Sequence, residues 1–364
     1  MVYYIDFGDD YKSIDAKEGD VILFRRGMFI RDRLYCRNGV SYGAYGEGDK
    51  PTFCGSVDIK NDLWEEIGQN IWKYKGELDS EVCNIVFGDN DFGRLRWTKT
   101  DLKKQGDYWD NCFGNGESNK QNDNHTFLLY SEEHPAKYYD SIECVLRKHR
   151  QLAETGENIS ISDISFINNG VHAIAGEKPV RNMYIKNCLF KNIGGSVWSS
   201  ELKIRFGNGV ECWNVAENVT VEDCTFDNIY DSGVTHQGDT TCEPADRFII
   251  RNNVFYRCGM AAYEQRDVMP KYAEFTENLC DYTGEGLSDT DDEHPRRSEI
   301  WPDSVGHHIF MWRIYKATEN GKVKIGNNTF KNAIYGKDIY ALIDDSAYKQ
   351  IEMNNNKSNK KEQN

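Results

Sequence analysis

Apolar and polar positions along this chain repeat over long distances. In "NVTVEDCTFDNIYDSGV", residues 218–234, apolar residues alternate with polar ones as far as Val221, and an acidic residue, a cysteine and a phenylalanine follow. The pattern reads I/V-x-I/V-x-N/D-C/N-x-F, with an Asn two places after the Phe. Copies run through Ile159-Ile161-Asp163-Phe166, Met183-Ile185-Asn187-Cys188-Phe190, Val219-Val221-Asp223-Cys224-Phe226 and Phe248-Ile250-Asn252-Asn253-Phe255. Ala273-Phe275-Asn278-Cys280 is weaker, Val323-Ile325-Asn327-Asn328-Phe330 is clean, and Ile351-Met353-Asn355-Asn356 is cut short. Successive anchors from Phe166 lie 24, 36, 29, 25 and 50 residues apart, and Asn168, Asn192, Asn228 and Asn332 hold the place after the Phe.

Each copy contains two strands whose alternation is out of phase. The apolar residues seven and five places before the Phe share one strand face, while the Cys or Asn two places before it shares the face of the Phe. An odd step separates the two, so the chain bends between them if both faces point inward. Asn and Asp suit that bend because they tolerate left-handed backbone and bond their own main chain. Strand, bend and strand at this period describe one coil of a parallel β-helix, with Phe stacked on Phe and Asn on Asn. A β-sandwich of similar short strands is the alternative. It calls for Asn-Gly turns between paired strands, and Asn38-Gly39 and Asn208-Gly209 do not lie between neighbouring copies. Stretches near 99–105 and 143–153 are candidates for short helices.

The pattern divides the chain. Residues 1–60 read as an N-terminal cap and first coils, 61–145 as an inserted β-rich subdomain, 146–356 as the main coils and 357–364 as a disordered tail. The insertion holds the aromatic-rich runs "LWEEIGQNIWKYKG" and "HTFLLYSEEHPAKYYDSIE" around the polar "CFGNGESNKQNDN".

Composition narrows the partners. With 31 Gly, 21 Tyr and 17 Phe in 364 residues, the chain can fill a long core. A mean hydropathy of -0.71 argues against a membrane protein, and no apolar run is long enough to span a bilayer. A net charge of -15 disfavours nucleic acid, because phosphate binding needs a basic surface. Eleven cysteines, with Cys188, Cys224 and Cys280 at inward positions, read as buried filler rather than disulfides. The start "MVYYIDFGDD" lacks the basic region and apolar stretch of a signal peptide.

The opening "YYIDFGDD…GDVILFRRGMF…YGAYGEGDKPTFCGS" resembles the start of right-handed parallel β-helix proteins of the pectate-lyase-like superfamily, and is most similar to bacterial β-helix glycoside hydrolases. The run from Trp64 to Tyr74 and "LLYSEEHPAKYY" are similar to a β-rich insertion in such proteins. The resemblance covers essentially the whole chain. It implies an all-β solenoid, a carbohydrate-active protein and an extracellular or periplasmic setting, and it does not single out one activity.

Chemistry is expected where loops lengthen. Aligned on their small residues, Gly209-Val210-Glu211-Cys212, Gly233-Val234-Thr235-His236, Ala261-Ala262-Tyr263-Glu264 and Gly286-Leu287-Ser288-Asp289 stack in order. That alignment places His236, Glu264 and Asp289 in one column and Glu211 one place across. Carboxylates on neighbouring coils then fall roughly 5–10 Å apart, which spans the separations of glycosidase pairs. Glu264 and Asp289 are the expected pair, with Glu211 as substitute. His236, Arg266 and Arg297 are expected to position or stabilise charge. Trp213, Tyr263, Trp301 and His308 are expected to supply sugar-binding surface. The 50-residue step leaves room for a further coil around "HHIFMW". "DTDDE", residues 289–293, is a candidate Ca²⁺ loop, although no metal or cofactor is expected.

The expected activity is hydrolysis of a poly- or oligosaccharide by a monomer. Two alternatives stay open. One is a polysaccharide lyase that removes the proton beside a uronate carboxylate, and the other is a non-catalytic glycan-binding β-helix or trimeric fibre.

Overall fold

The computed structural model describes residues 1–88, 91–112, 125–289, 306–334 and 337–359. Three long parallel sheets run side by side along one axis. The first has ten strands, from Val2–Ile5 to Ile351–Asn354; the second has nine, from Phe29–Ile30 to Lys357–Ser358; the third has seven, from Gln151–Glu154 to Ile339–Ile343. One coil contributes Ala216–Glu222, Thr225–Ile229 and Ser232–Gln237, and the next contributes Asp246–Arg251, Val254–Cys258 and Ala261–Arg266. This is a parallel β-helix.

The repeat letters occupy the places that their chemistry suggests. At the bend, Asp163, Asn187, Asp223, Asn252 and Asn327 all have left-handed backbone, with φ of 59°, 48°, 56°, 53° and 56°. The anchor phenylalanines pair in register, Phe166 with Phe190, Phe190 with Phe226 and Phe226 with Phe255. Their rings stack with centroids 5.7, 4.6 and 4.7 Å apart. Where Cys280 takes the anchor place, the ring of Phe275 from the first sheet covers Phe255 instead. Burying each ring stabilises by about 1.5–3 kcal/mol relative to leaving it exposed.

Asparagine ladders satisfy the buried polar groups. Asn228 donates to Asn192 and Asn192 to Asn168, at 2.8 and 3.0 Å. In a second ladder the backbone N–H groups of Cys224, Asn253, Asn278 and Asn328 donate in turn to the side chains of Asn253, Asn278, Asn328 and Asn356. Cys188, Cys224 and Cys280 are buried free thiols.

Residues from Ser56 to Leu146 leave the coil path. Ser56–Asp58, Val82–Val86 and Glu143–Leu146 form an antiparallel sheet, and Trp64–Gly68, Ile71–Tyr74, Arg94–Leu95, Asp107–Asp110 and Phe127–Tyr130 form a mixed one. The unit has its own apolar core, which includes Trp64, Ile85, Tyr108, Phe127 and Ile142, and it gains Val197 from the solenoid. Buried ions dock it. Arg205, fully buried, donates to the carbonyl of Cys83 and the side chain of Asn84 at 2.7 Å each. Glu81 accepts from the backbone of Val197 at 2.7 Å and from Arg147 at 3.1 Å.

Two local expectations need correction. Residues 143–153 form strands Glu143–Leu146 and Gln151–Glu154 rather than a helix, because Cys144, Val145 and Leu146 are buried in succession against two partner strands. Lys357–Ser358 is not tail but the last strand of the second sheet, paired with Thr329 and Phe330. Among the described residues no helix is long and apolar enough to cross a membrane.

Candidate functional site

The third sheet carries the most varied row of side chains. Val210, Val234, Tyr263 and Ile309 pair in register and belong to the solenoid core, as do Cys212 and Met311 two places on. Alternation along a strand then turns the residues between them outward. That outward row reads Glu211, Thr235, Glu264, Phe310, Tyr340. Beside it runs Trp213, Gln237, then Arg266, Trp312 and Leu342. Phe310 and Trp312 belong to a separate apolar cluster with Met260 and Ala261 on the outer face.

Glu211 and Glu264 therefore share a column with Thr235 between them. Two strand spacings put their Cα positions about 10 Å apart. Both carboxylates are close to buried, at 5% and 3% exposure, and both are held by donors. Glu264 accepts from Ser232 Oγ at 3.2 Å and Thr235 Oγ1 at 3.0 Å on one oxygen, and from the Trp312 indole at 2.8 Å on the other. Glu211 accepts from Asn208 Nδ2 at 2.7 Å and Gln237 Nε2 at 2.5 Å. His172 Nε2 lies 3.7 Å from its second oxygen. The Asn208 backbone N–H donates to His172 Nδ1 at 3.1 Å, so the neutral ring carries its proton on the nitrogen that faces Glu211. Burial keeps His172 below the ordinary histidine pKa, despite the opposing pull of Glu211.

Arg266 links the two acids. Burial disfavours its charge, but Glu264, Asp267 and Glu211 together raise its pKa further. Its Nε donates to Asp267 at 2.9 Å, and its guanidinium lies over the Trp312 ring, 5.5 Å from the centroid. Its side chain keeps 20% exposure, and Trp213 in the same outward row is half-buried.

The expected column is out of register by one residue. Val234 pairs with Tyr263, so Gly233 stands opposite Ala262 rather than Ala261, and Thr235 rather than His236 neighbours Glu264. His236 points into the core. It is fully buried, accepts from Gln265 Nε2 at 2.9 Å, and lies 3.3 Å from the Asn214 carbonyl. Burial lowers its pKa to about 4. Tyr263 is likewise inward, stacked on Phe275 at 5.7 Å. His308 is buried, bonded to Thr283 at 2.7 Å and stacked on Phe330. These three side chains are not in the outward column with Glu211 and Glu264.

Asp289 ends a 3-10 turn, Gly286–Asp289, off the third sheet, and Phe310 takes the place expected for it. The turn is tied to the second sheet, with the Leu287 N–H donating to Asn228. No further coil lies around "HHIFMW": Cys280 pairs directly with Phe330, and His307–Ile314 is the third-sheet strand of the Cys280 coil. Arg297, Trp301 and most of "DTDDE" lie outside the described residues. Of the expected residues, the structure brings together Glu211, Glu264, Arg266 and Trp213. Trp312 was expected as sugar-binding surface rather than as a donor to Glu264, and the other residues that hold the acids were not foreseen, namely His172, Asn208, Ser232, Thr235 and Gln237. Their only sequence signal is position, each lying on or just before a third-sheet strand.

No family model matches the chain, and no curated protein does. Among solved structures it is similar to XylC in complex with xylose, at 14% identity and a TM-score of 0.53, over 91% of this chain and 58% of that one. This chain thus spans little more than half of that protein. A structure titled only as a glycoside hydrolase matches at 9% identity and a TM-score of 0.39, over 93% of this chain and 89% of that one. The GH136 lacto-N-biosidase from Eubacterium ramulus matches at 12% identity and a TM-score of 0.26, over 98% and 67%. At these identities the XylC likeness establishes a shared fold.

Proposed function

We propose that the chain is a glycoside hydrolase whose reacting groups are Glu211 and Glu264. The observation that carries this reading is the outward column itself, in which two nearly buried glutamates stand two coils apart across Thr235. One carboxyl group protonates the glycosidic oxygen and the other activates water from the opposite face of the sugar. A spacing of about 10 Å at Cα is nearer the separation of inverting enzymes, roughly 6.5–9.5 Å between carboxyl groups, than that of retaining ones, roughly 5–5.5 Å. Arg266 offsets negative charge near the acids, and half-buried Trp213 offers flat apolar surface to a sugar ring.

The test is a glycan panel read by released reducing ends, with xylose-containing oligosaccharides first because xylose is the ligand of the XylC complex. Turnover that is lost in both Glu211→Gln and Glu264→Gln, with inverted anomeric configuration by NMR, is the expected result. Ultraviolet absorbance from an unsaturated uronide product would make it a lyase. Binding without turnover in the native chain would make it a glycan binder.

A further inference from the structure

We propose that Asp110, Cys112 and His125, in the inserted unit, form a binding site for a divalent transition-metal ion of the zinc class. The three offer a carboxylate oxygen, a thiol sulfur and a ring nitrogen that lie within 4.8 Å of one another. The backbone brings them together. Asp107–Asp110 pairs antiparallel with Phe127–Tyr130, and beyond it the Asn111 N–H donates to the Thr126 carbonyl while the Thr126 N–H donates to the Asn111 side-chain oxygen. The next positions outward on the two chains are Cys112 and His125.

The orientation of His125 carries the argument. Its Nδ1 lies 3.0 Å from the Leu78 carbonyl, an acceptor, so that nitrogen bears the hydrogen. A ring nitrogen that donates to a backbone carbonyl is the usual outer support of a metal-bound histidine. Nε2 then faces Asp110 Oδ2 at 2.9 Å. A lone pair cannot sit against a carboxylate oxygen at that distance, so something positive must lie between them, either a proton or a metal ion. With a proton there, Asp110 and Cys112 hold it strongly. Burial opposes the ring charge, yet these neighbours raise the His125 pKa to about 10.

Two features favour the ion over the proton. Asp110 is fully buried and already fixed by the backbone N–H groups of Val82 at 2.8 Å and Cys112 at 2.6 Å. On binding, a divalent ion displaces the thiol proton of Cys112, and the resulting thiolate and the Asp110 carboxylate together cancel its charge beside a neutral imidazole. Carboxylate, thiolate and imidazole are all ligands that zinc accepts, at roughly 2.0–2.3 Å. Ligand atoms around such an ion stand roughly 3.3–3.8 Å apart, so small rotations of side chains at one end of a hairpin suffice. Cys112 and His125 are partly exposed, which gives an ion a way in.

Cobalt(II) titrated into the metal-stripped full chain is the test, because a thiolate ligand gives a charge-transfer band in the near ultraviolet. The expected result is one equivalent of cobalt with that band, its displacement by zinc, and loss of the band in Cys112→Ser. The band should persist in Cys36→Ser and Cys242→Ser, which remove the other partly exposed thiols. His125→Gln should weaken cobalt binding at least tenfold while the far-ultraviolet circular dichroism stays native. A folded native chain that gives no band, or a band that survives Cys112→Ser, would overturn the site and leave a histidine–aspartate ion pair.

Discussion

The second and third sheets are built from the same coils and read quite differently. Along the inner face of the second sheet one residue type recurs, Phe53, Phe166, Phe190, Phe226 and Phe255, with rings stacked in sequence. Along the outer face of the third, each coil differs from the next, from Glu211 through Thr235 and Glu264 to Phe310. A stack of like side chains is selected by the neighbours above and below, since each coil must match the next. A row of unlike side chains answers to something outside the coils. In this solenoid, repetition marks architecture, and the row that lacks it is the one we propose for chemistry.

Glu264→Gln should produce the largest change. It keeps the side-chain shape and should reduce turnover by about 10⁴-fold, equivalent to about 5.5 kcal/mol, with the thermal midpoint nearly unmoved. A fully active variant would mean that the third-sheet row is as structural as the second. Phe226→Ala tests the opposite side of the contrast. It should cost about 3–5 kcal/mol in urea unfolding, because Phe190 and Phe255 cannot close the gap. A cost under about 1 kcal/mol would show that the stack does not hold the coils.

Protonation separates core from insertion. The unfolded chain binds a proton at His236 near its ordinary pKa of 6.5, whereas the folded core refuses it until about pH 4. Stability therefore falls as pH drops from 6.5 to 4, by up to about 3 kcal/mol. His125 runs the other way. With no metal ion bound, its pKa is raised to about 10, so its contribution is complete below pH 6.5 and is lost as pH rises through 10. Urea midpoints across pH should show the acid slope vanish in His236→Gln. An unchanged slope would assign acid instability to other groups. The smallest effect is expected for Trp213→Ala, which removes one sugar-facing surface and should raise KM about tenfold with kcat little changed, or about 1.4 kcal/mol. A matching fall in kcat would place Trp213 against the reacting bond instead.

The solenoid was legible in the sequence because it depends on recurring residues. The left-handed bend needs Asn or Asp at one place in each copy, and the chain supplies it at Asp163, Asn187, Asp223, Asn252 and Asn327. The site was less legible because its register hangs on a single residue. Ala261 and Ala262 are both small, and sequence alone gives no reason to set Ala262 rather than Ala261 opposite Gly233. A slip of one place exchanges the inner and outer faces of a strand, which is how His236 and Tyr263 came to be expected at the surface. The strand His307–Ile314 was read as a further coil for another reason. Its outward Phe310 and Trp312 are covered by their own apolar cluster, so the strand shows no alternation of polar and apolar residues. Gly286–Asp289 imitates the expected pattern, but Asn228 ties that turn to the second sheet.

Phe53 pairs with Phe166 across the whole inserted unit, and that seam orders the molecule in time. Closing a loop of roughly a hundred residues costs about 1 kcal/mol more in chain entropy than closing one of the ordinary coil steps. Coils beyond the seam can form by adding one neighbour at a time. The coils before it pair with one another, but they join the rest of the solenoid only when the insertion has drawn its ends together. Strands made before the insertion thus wait for those made after it to be completed. Pulse-labelled hydrogen exchange during refolding should find the amides of Leu189–Ile193 protected before those of Thr52–Cys54.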